Sequence, residues 1–239
     1  NTTGHSNVAI GAEASDTSTT AQDNVIVGYR AGKALTTGGN NVALGSQAFD
    51  VNTTGANNVA IGKHCMGGNT TASENTSVGT EALEANTTGA QNCAFGFRAL
   101  EANTTASHNT AFGHEALKSN TTGTENVAVG SDVLDANTEG SYNIGIGHKA
   151  LTDCTTGSIN VAIGREAIEN LTTGSKNVGV GRSALVALTT GEENTAIGDA
   201  VAASCTTGST NTAVGNAAMK LTTTASNLVA VGREALYSN

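Results

Sequence analysis

The sequence has no proline and no tryptophan, and only 3% of its residues are aromatic. Without proline, no backbone N–H is missing from any strand ladder that the chain forms. With so few aromatic side chains, a folded core must be thin and filled by Val, Ile, Leu and Ala. Low aromatic content with abundant Thr and Asn is also typical of disordered chains, so the order of the residues has to decide between the two.

Charge is sparse as well. Only 13% of residues are charged, and the net charge is −9 with no basic patch, which argues against nucleic acid as a partner. No apolar run reaches the length of a membrane-spanning helix, so no membrane insertion is expected in this segment. No catalytic, cofactor-binding or metal-ligating constellation stands out. We therefore predict a non-enzymatic protein with no cofactor and no metal.

What the sequence does contain is a repeat. The stretch at 126–130, Asn-Val-Ala-Val-Gly, recurs in fourteen similar copies that are 17 residues apart, with no insertion or deletion. A disordered chain has no need to keep such a phase. When each repeat is numbered from this Asn as column 1, column 5 is glycine throughout: Gly11, Gly28, Gly45, Gly62, Gly79, Gly96, Gly113, Gly130, Gly147, Gly164, Gly181, Gly198, Gly215 and Gly232.

Seventeen residues are too few for a helix pair or a propeller blade but suit one coil of a β-solenoid. Successive coils would stack at roughly 4.8 Å, with their strands in parallel register. We therefore predict an all-β parallel β-solenoid of about 14 coils, as a single repetitive domain over residues 1–239, with the column-5 glycines as structural turn residues. No atypical capping repeat is present at either end, so we expect a segment of a longer protein.

Columns 2 to 4 read as a strand. Because column 4 is always apolar and side chains two apart share a face, columns 2 and 4 are predicted to point into the coil and column 3 outward. Column 3 is nevertheless Ala in ten repeats. Small apolar residues on an outer face suggest close approach of a second chain, although short Ala side chains could also simply be tolerated on a flat exposed face.

Columns 8 and 9 form a second apolar pair, for example Ala82-Leu83. In a strand one of the two must leave the core, unless both lie at a bend where both turn inward. An exposed stack of Leu is what soluble monomers avoid, so we expect a homo-oligomer, either a trimer or a filament. The predicted chain–chain interface comprises Ala43, Ala60, Ala94, Ala111, Ala128, Leu83, Leu100, Leu117, Leu134 and Leu151.

Columns 12 to 15 read Asn-Thr-Thr-Gly and are predicted to form a corner. Column 14 tolerates Glu139, so it is expected to face solvent, with column 13 facing inward. The corner matches the N-glycosylation sequon at Asn1, Asn52, Asn69, Asn86, Asn103 and Asn120, and Asn75 and Asn170 match it elsewhere. Recurrence in one column favours turn chemistry over glycosylation.

The corner also supports a second functional hypothesis. If columns 12 and 14 both faced outward, their parallel ranks of Asn and Thr could order water, as in an ice-binding β-solenoid. Leu35, Leu171, Leu188 and two cysteines in column 12 argue against a regular ice face.

The cysteines and histidines predict no further chemistry. Cys154 and Cys205 share a column but lie three coils apart, beyond the reach of a disulfide. With Cys65 and Cys93 they are predicted to replace Ala, Val or Leu in the core. The five histidines occupy columns 6, 7, 16 and 17, no two of them in adjacent coils of one column, and are expected at the surface.

The Asn-x-Ala-x-Gly-x-x-Ala core, whose first five positions are seen at residues 160–164 and 194–198, resembles the head repeats of YadA-like trimeric autotransporter adhesins. It is also similar to repeats of phage tail fibres and other extracellular fibres. The resemblance covers nearly the whole chain through one short motif. It implies a left-handed parallel β-roll, three chains around an axis, an extracellular, cell-surface or virion location, and adhesion or fibre building. A host surface or a glycan is the kind of ligand it implies.

Overall fold

A computed structural model describes residues 3–238 of the chain. The chain divides into two compact units, Asn1–Thr122 and Gly123–Asn239. Both are stretches of parallel β-solenoid with about 17 residues per coil, about 13 turns in all. The predicted fold class is confirmed, whereas the single domain, the handedness and the sequon at Asn1, which lies outside the described residues, stay predictions.

In the first unit, every repeat contributes one three-residue strand to a parallel ladder. Neighbouring strands pair one repeat apart, so that Val42 lies beside Val59 and Ala43 beside Ala60. The strands are β1 (Val8–Ile10), β2 (Val25–Val27), β3 (Val42–Leu44), β4 (Val59–Ile61), β5 (Thr76–Val78), β6 (Cys93–Phe95) and β7 (Thr110–Phe112).

The second unit has the same arrangement. Val161 pairs with Ile144 on one side and with Val178 on the other. Its strands are β8 (Val127–Val129), β9 (Ile144–Ile146), β10 (Val161–Ile163), β11 (Val178–Val180), β12 (Thr195–Ile197), β13 (Thr212–Val214) and β14 (Val229–Val231).

The asparagine of column 1 joins each strand to the neighbouring coils. The backbone N–H of Asn58 donates to Oδ1 of Asn41 over 3.0 Å, and Nδ2 of Asn58 donates to the carbonyl of Ala72 over 2.9 Å. An amide places an acceptor oxygen and two N–H donors on one short uncharged side chain, so it can bond to the coils on both sides at once. Buried backbone groups at the start of each coil are thereby satisfied, which explains why Asn opens nearly every repeat.

The predicted facing of the strand is wrong. In the interior strands the middle residue, column 3, is buried and its two neighbours are half-buried or exposed. Column 3 is small because the space behind the strand is narrow. A Cβ on Gly145 would lie 2.5 Å from Cγ1 of Val133, and one on Gly179 would lie 2.6 Å from Cγ1 of Ile168.

The predicted chain–chain interface is wrong for the same reason. All ten of the residues proposed for it have no exposed surface within a single chain, because they fill the core of their own coils. The alternative, that columns 8 and 9 lie at a bend, is correct: Ala82 and Leu83 are both fully buried. Leu83 reaches the interior with φ of 54° and Glu81 precedes it with φ of 59°. For residues other than glycine this left-handed conformation costs roughly 1–2 kcal/mol each.

The column-5 glycines end each strand with a positive φ, from 119° at Gly147 to 145° at Gly79. A Cβ on Gly62 would overlap the carbonyl oxygen of Gly79 in the next coil. Both the conformation and the close approach of backbones require glycine, so the repeat cannot substitute this column.

At the corner, column 12 is the buried position. The described sequon asparagines of this column, from Asn52 to Asn120, have no exposed surface. Column 13 is half-buried, not fully inward: Thr53 Oγ1 donates to the carbonyl of Thr70 over 3.1 Å. Column 14 is exposed, as predicted, for example at Thr54 and Glu139. Within the described residues, the side chains of columns 12 and 14 therefore do not both face solvent, as the regular ice-binding face would require.

Candidate interaction surface

The side chains of columns 2 and 4 form a flat surface that we call the strand face. They project from the strands on the side opposite the core, one pair per coil. In the first unit the strand face comprises Val8, Ile10, Val25, Val27, Val42, Leu44, Val59, Ile61, Thr76, Val78, Cys93, Phe95, Thr110 and Phe112. In the second unit it comprises Val127, Val129, Ile144, Ile146, Val161, Ile163, Val178, Val180, Thr195, Ile197, Thr212, Val214, Val229 and Val231.

The strand face is apolar and incompletely covered in both units. Phe112 is 39% exposed, and in the second unit Ile163 and Ile197 are 38% and 42% exposed. No charged residue occurs in either column. Seven stacked coils present a contiguous apolar surface, and a large exposed apolar patch on a soluble protein marks an interaction site.

An aromatic pair marks one place on the strand face of the first unit. The rings of Phe95 and Phe112, in adjacent coils, are stacked with centroids 4.6 Å apart and planes 5° apart. Cys93 lies two residues before Phe95 and is half-buried, whereas the other three cysteines are buried. Burial raises the pKa of the Cys93 thiol.

The other three cysteine thiols are unreactive because they are buried. Burial raises the pKa of Cys65 to about 11 and that of Cys154 to about 12, and it also raises the pKa of Cys205. A thiol with such a pKa stays protonated at neutral pH and is a poor nucleophile. Their predicted role as core substitutes agrees with the burial of these three, while Cys93 lies on the strand face.

The corner columns 6, 7 and 10 hold ion pairs instead of a binding cavity. Nε of Arg98 lies 2.7 Å from Oε2 of Glu81 and 3.7 Å from Oε1 of Glu101. Arg182 binds Asp199 through two contacts of 2.8 and 3.0 Å. The Arg98–Glu81 and Arg182–Asp199 pairs each connect one coil to the next at the solvated edge, where exposed ion pairs contribute little to stability.

A shallow groove lies beside these pairs in the first unit, above Gly68, Ala85, Ala102 and Ser119. The carboxyl oxygens of Glu81, Glu84 and Glu101 lie within 4.8 Å of one another. Burial first, and then the charges of Glu81 and Glu101, raise the pKa of Glu84. Arg98 already supplies positive charge to two members of this trio, and the geometry offers no built cation site.

The described part of the chain contains no helix with both the length and the apolar character needed to cross a bilayer. Comparison with protein-family models, curated proteins and solved structures found no match to this chain. The resemblance to adhesin head repeats therefore stays a prediction based on the motif.

Sequence reasoning missed the strand face, although a signal for it was present. Column 3 never holds a large residue except Ile26, and the same repeat has Gly32 where most others have Leu, Ile, Met or Phe. A Cβ on Gly32 would lie 3.2 Å from Cγ2 of Ile26, so the two positions share one interior space. A large side chain in column 3 is thus paired with no side chain in column 9, as expected if both columns share the interior. Column 3 therefore faces the core, and columns 2 and 4 face outward.

Proposed function

We propose that this chain is a non-enzymatic structural segment of an extracellular fibre, built of stacked coils and assembled with like chains through the strand face. The observation that carries the proposal is the uncharged, partly exposed apolar surface that repeats in register in every coil. A flat, uncharged surface of this kind is suited to association with another copy of the chain, whether the same patch meets itself across a two-fold axis or packs against a different face in a ring or filament. The extracellular location and an adhesive role are supported only by the resemblance of the motif.

The ion pairs of the corners fit the same proposal. They lie on the solvated edges and not on the strand face, so association would leave them in water. Any host-surface or glycan ligand would then meet columns 6, 7 and 10, which hold most of the charged residues.

The proposal is tested by placing charge on the strand face. Thr76→Lys and Thr110→Lys together put two lysines in column 2 without touching the core. The control carries Thr88→Lys and Thr122→Lys, which make the same change at exposed column-14 positions of the same two coils. By sedimentation, we expect the natural chain and the control to be oligomeric and the strand-face variant to fall to the monomer mass. A natural chain that is monomeric at all concentrations, or three proteins of equal mass, would contradict the proposal.

Cys93 gives an independent readout of the same surface. Buried in an assembled strand face, its thiol should react slowly with a water-soluble maleimide in the natural chain and faster in the strand-face variant. Cys65, Cys154 and Cys205 are buried in the core and should stay unreacted in both proteins. Equal labelling rates for Cys93 would show that the strand face is not the interface.

The ice-binding alternative retains one supporting observation, the exposed file of column-14 threonines such as Thr54, Thr71 and Thr88. The Asn column cannot contribute to an ice face, because it is buried. Measurement of thermal hysteresis distinguishes the two functions. The fibre proposal expects none, while ice binding expects faceted crystals that the column-14 lysine control abolishes and the strand-face variant retains.

A further inference from the structure

Seven described asparagines begin an N-glycosylation sequon, and the fold treats one of them differently from the other six. Asn52, Asn69, Asn75, Asn86, Asn103 and Asn120 have no exposed surface. The seventh, Asn170, is exposed, at the end of its coil and just before the corner. A glycan is bulky and must lie in solvent, so burial decides which of these sites a folded chain can carry.

The buried asparagines use the nitrogen that a glycan would occupy. Nδ2 of Asn86 donates to the carbonyl of Gly89 over 2.9 Å and to Oδ1 of Asn69 over 3.3 Å. Nδ2 of Asn75 donates to the carbonyl of Gly89 over 3.0 Å, among other acceptors. A sugar on either nitrogen would remove a donor and would fill the space in which the next coil stacks.

Asn170 makes its structural contribution with its backbone. Its N–H donates to the carbonyl of Val186 over 3.2 Å. The next residue, Leu171, occupies the buried corner position of column 12, while the Asn170 side chain lies at the surface. A large polar group on Asn170 Nδ2 therefore extends into solvent without disturbing the ladder.

We propose that Asn170 is the one described sequon whose N-linked glycan the fold can carry, and that the native fold forms only where the other six asparagines escape modification. In the transfer, Asn Nδ2 forms a bond to the anomeric carbon of a lipid-pyrophosphate-linked oligosaccharide. The bond from that carbon to the pyrophosphate oxygen breaks, the lipid pyrophosphate leaves, and the amide loses one proton. An oligosaccharyltransferase acting on the growing chain does not distinguish the seven sites by burial, because the coils have not yet stacked.

This inference stands on burial and on the motif and does not depend on the fibre proposal. It is tested with the full chain, directed into the secretory pathway of cultured mammalian cells with and without tunicamycin, which blocks synthesis of the lipid-linked donor. We expect tunicamycin to raise the yield of folded, secreted natural chain by about tenfold or more, since misfolded chains are retained and degraded. Secretion of the natural chain with glycans mapped to Asn86 or Asn103 would overturn the proposal.

A variant that retains only the Asn170 sequon, which we call the spared variant, tests Asn170 as the glycan acceptor. It removes every other sequon without changing an asparagine, through Ser77→Ala and Thr→Ala at positions 3, 54, 71, 88, 105 and 122. We expect secretion without tunicamycin and one glycan, mapped by peptide mass spectrometry to the peptide containing Asn170 and lost in the added Asn170→Gln variant. A secreted spared variant with unmodified Asn170 would refute the acceptor assignment. The urea midpoint of the spared variant after bacterial expression, compared with that of the natural chain, shows whether the substitutions themselves affect stability. The tunicamycin experiment uses the natural chain and needs no substitution.

Discussion

Runs of successive repeats in the two units fill the same buried corner position with opposite chemistry. In the first unit, column 12 holds five successive asparagines whose amides form a ladder, with Asn103 Nδ2 donating to Asn86 Oδ1 over 2.9 Å and Asn69 Nδ2 to Asn52 Oδ1 over 3.0 Å. In the second unit, four successive repeats have an apolar side chain or a thiol there: Cys154, Leu171, Leu188 and Cys205. All are 0–1% exposed.

The backbone around the corner is the same in both units. Thr53 Oγ1 donates to the carbonyl of Thr70 over 3.1 Å in the first, and Thr172 Oγ1 to that of Thr189 over 3.0 Å in the second. The position therefore requires burial and satisfied polar atoms, not one residue type. An amide at this position is satisfied by a neighbouring amide and by a carbonyl of its own corner, as Asn86 is by Asn69 and Gly89, whereas a hydrocarbon needs no partner.

The largest expected effect concerns what both units share. Gly62→Ala in the first unit and Gly181→Ala in the second should each destabilise the fold by about 3–5 kcal/mol, because an added Cβ meets a backbone carbonyl in the next coil at an unfavourable φ. Gly232→Ala is the matched control, since its Cβ would have no neighbour within 4 Å. Urea unfolding followed by circular dichroism measures all three. Equal losses for Gly62→Ala and Gly232→Ala would refute the role of the close approach.

Placing an amide in the apolar corner comes next. Leu171→Asn should cost about 3–4 kcal/mol in the free energy of unfolding, because it loses a buried Leu and buries an amide whose column neighbours, Cys154 and Leu188, have no amide to pair with. Leu171→Met keeps the volume and should cost less than about 1.5 kcal/mol. If the Asn variant were no less stable than the Met variant, the corner would not distinguish the two chemistries.

The reverse exchange should cost less. Asn86→Leu removes the acceptor of Asn103 and the donor to Asn69, but Asn103 Nδ2 keeps a bond of 3.0 Å to the carbonyl of Ala106. We expect a loss of about 2–3 kcal/mol. Adding Asn103→Leu to the Asn86→Leu variant should lower the free energy of unfolding by less than the first substitution did, because the new Leu packs against the Leu at position 86. A double-variant loss at or above the sum of the two single losses would contradict the ladder argument.

The smallest effect has the opposite sign. Ser77 occupies column 3, where ten repeats have Ala, and its buried Oγ has no hydrogen-bond partner. Ser77→Ala should stabilise the first unit by about 1 kcal/mol, because it removes an unpaired polar group. Ser73→Ala is the matched control: Oγ of Ser73 accepts the N–H of Ala56 over 3.0 Å, so the same change should destabilise. A shift of the urea midpoint in the same direction for both would refute the explanation.

Sequence reasoning succeeded where the period itself carried the information. The 17-residue step, the strand at columns 2 to 4, the column-5 glycine and the exposed column 14 each follow from recurrence in one position. The prediction of which side of the strand faces the core was wrong, because apolar character alone does not decide which side chains are buried. Val59 is more apolar than Ala60, yet Ala60 is inside, since only a small side chain fits behind the strand.

The amino-acid sequence by itself determined the architecture of this protein: an unbroken period without proline allows the coils of each unit to pair with their neighbours in one register. Only the tertiary structure decided which side of the strand is the core. That choice depends on left-handed residues such as Leu83, which turn both column 8 and column 9 inward and narrow the interior until only Ala or Gly fits opposite them in most coils. Conformation, and not composition, thereby leaves the larger β-branched side chains on the outside.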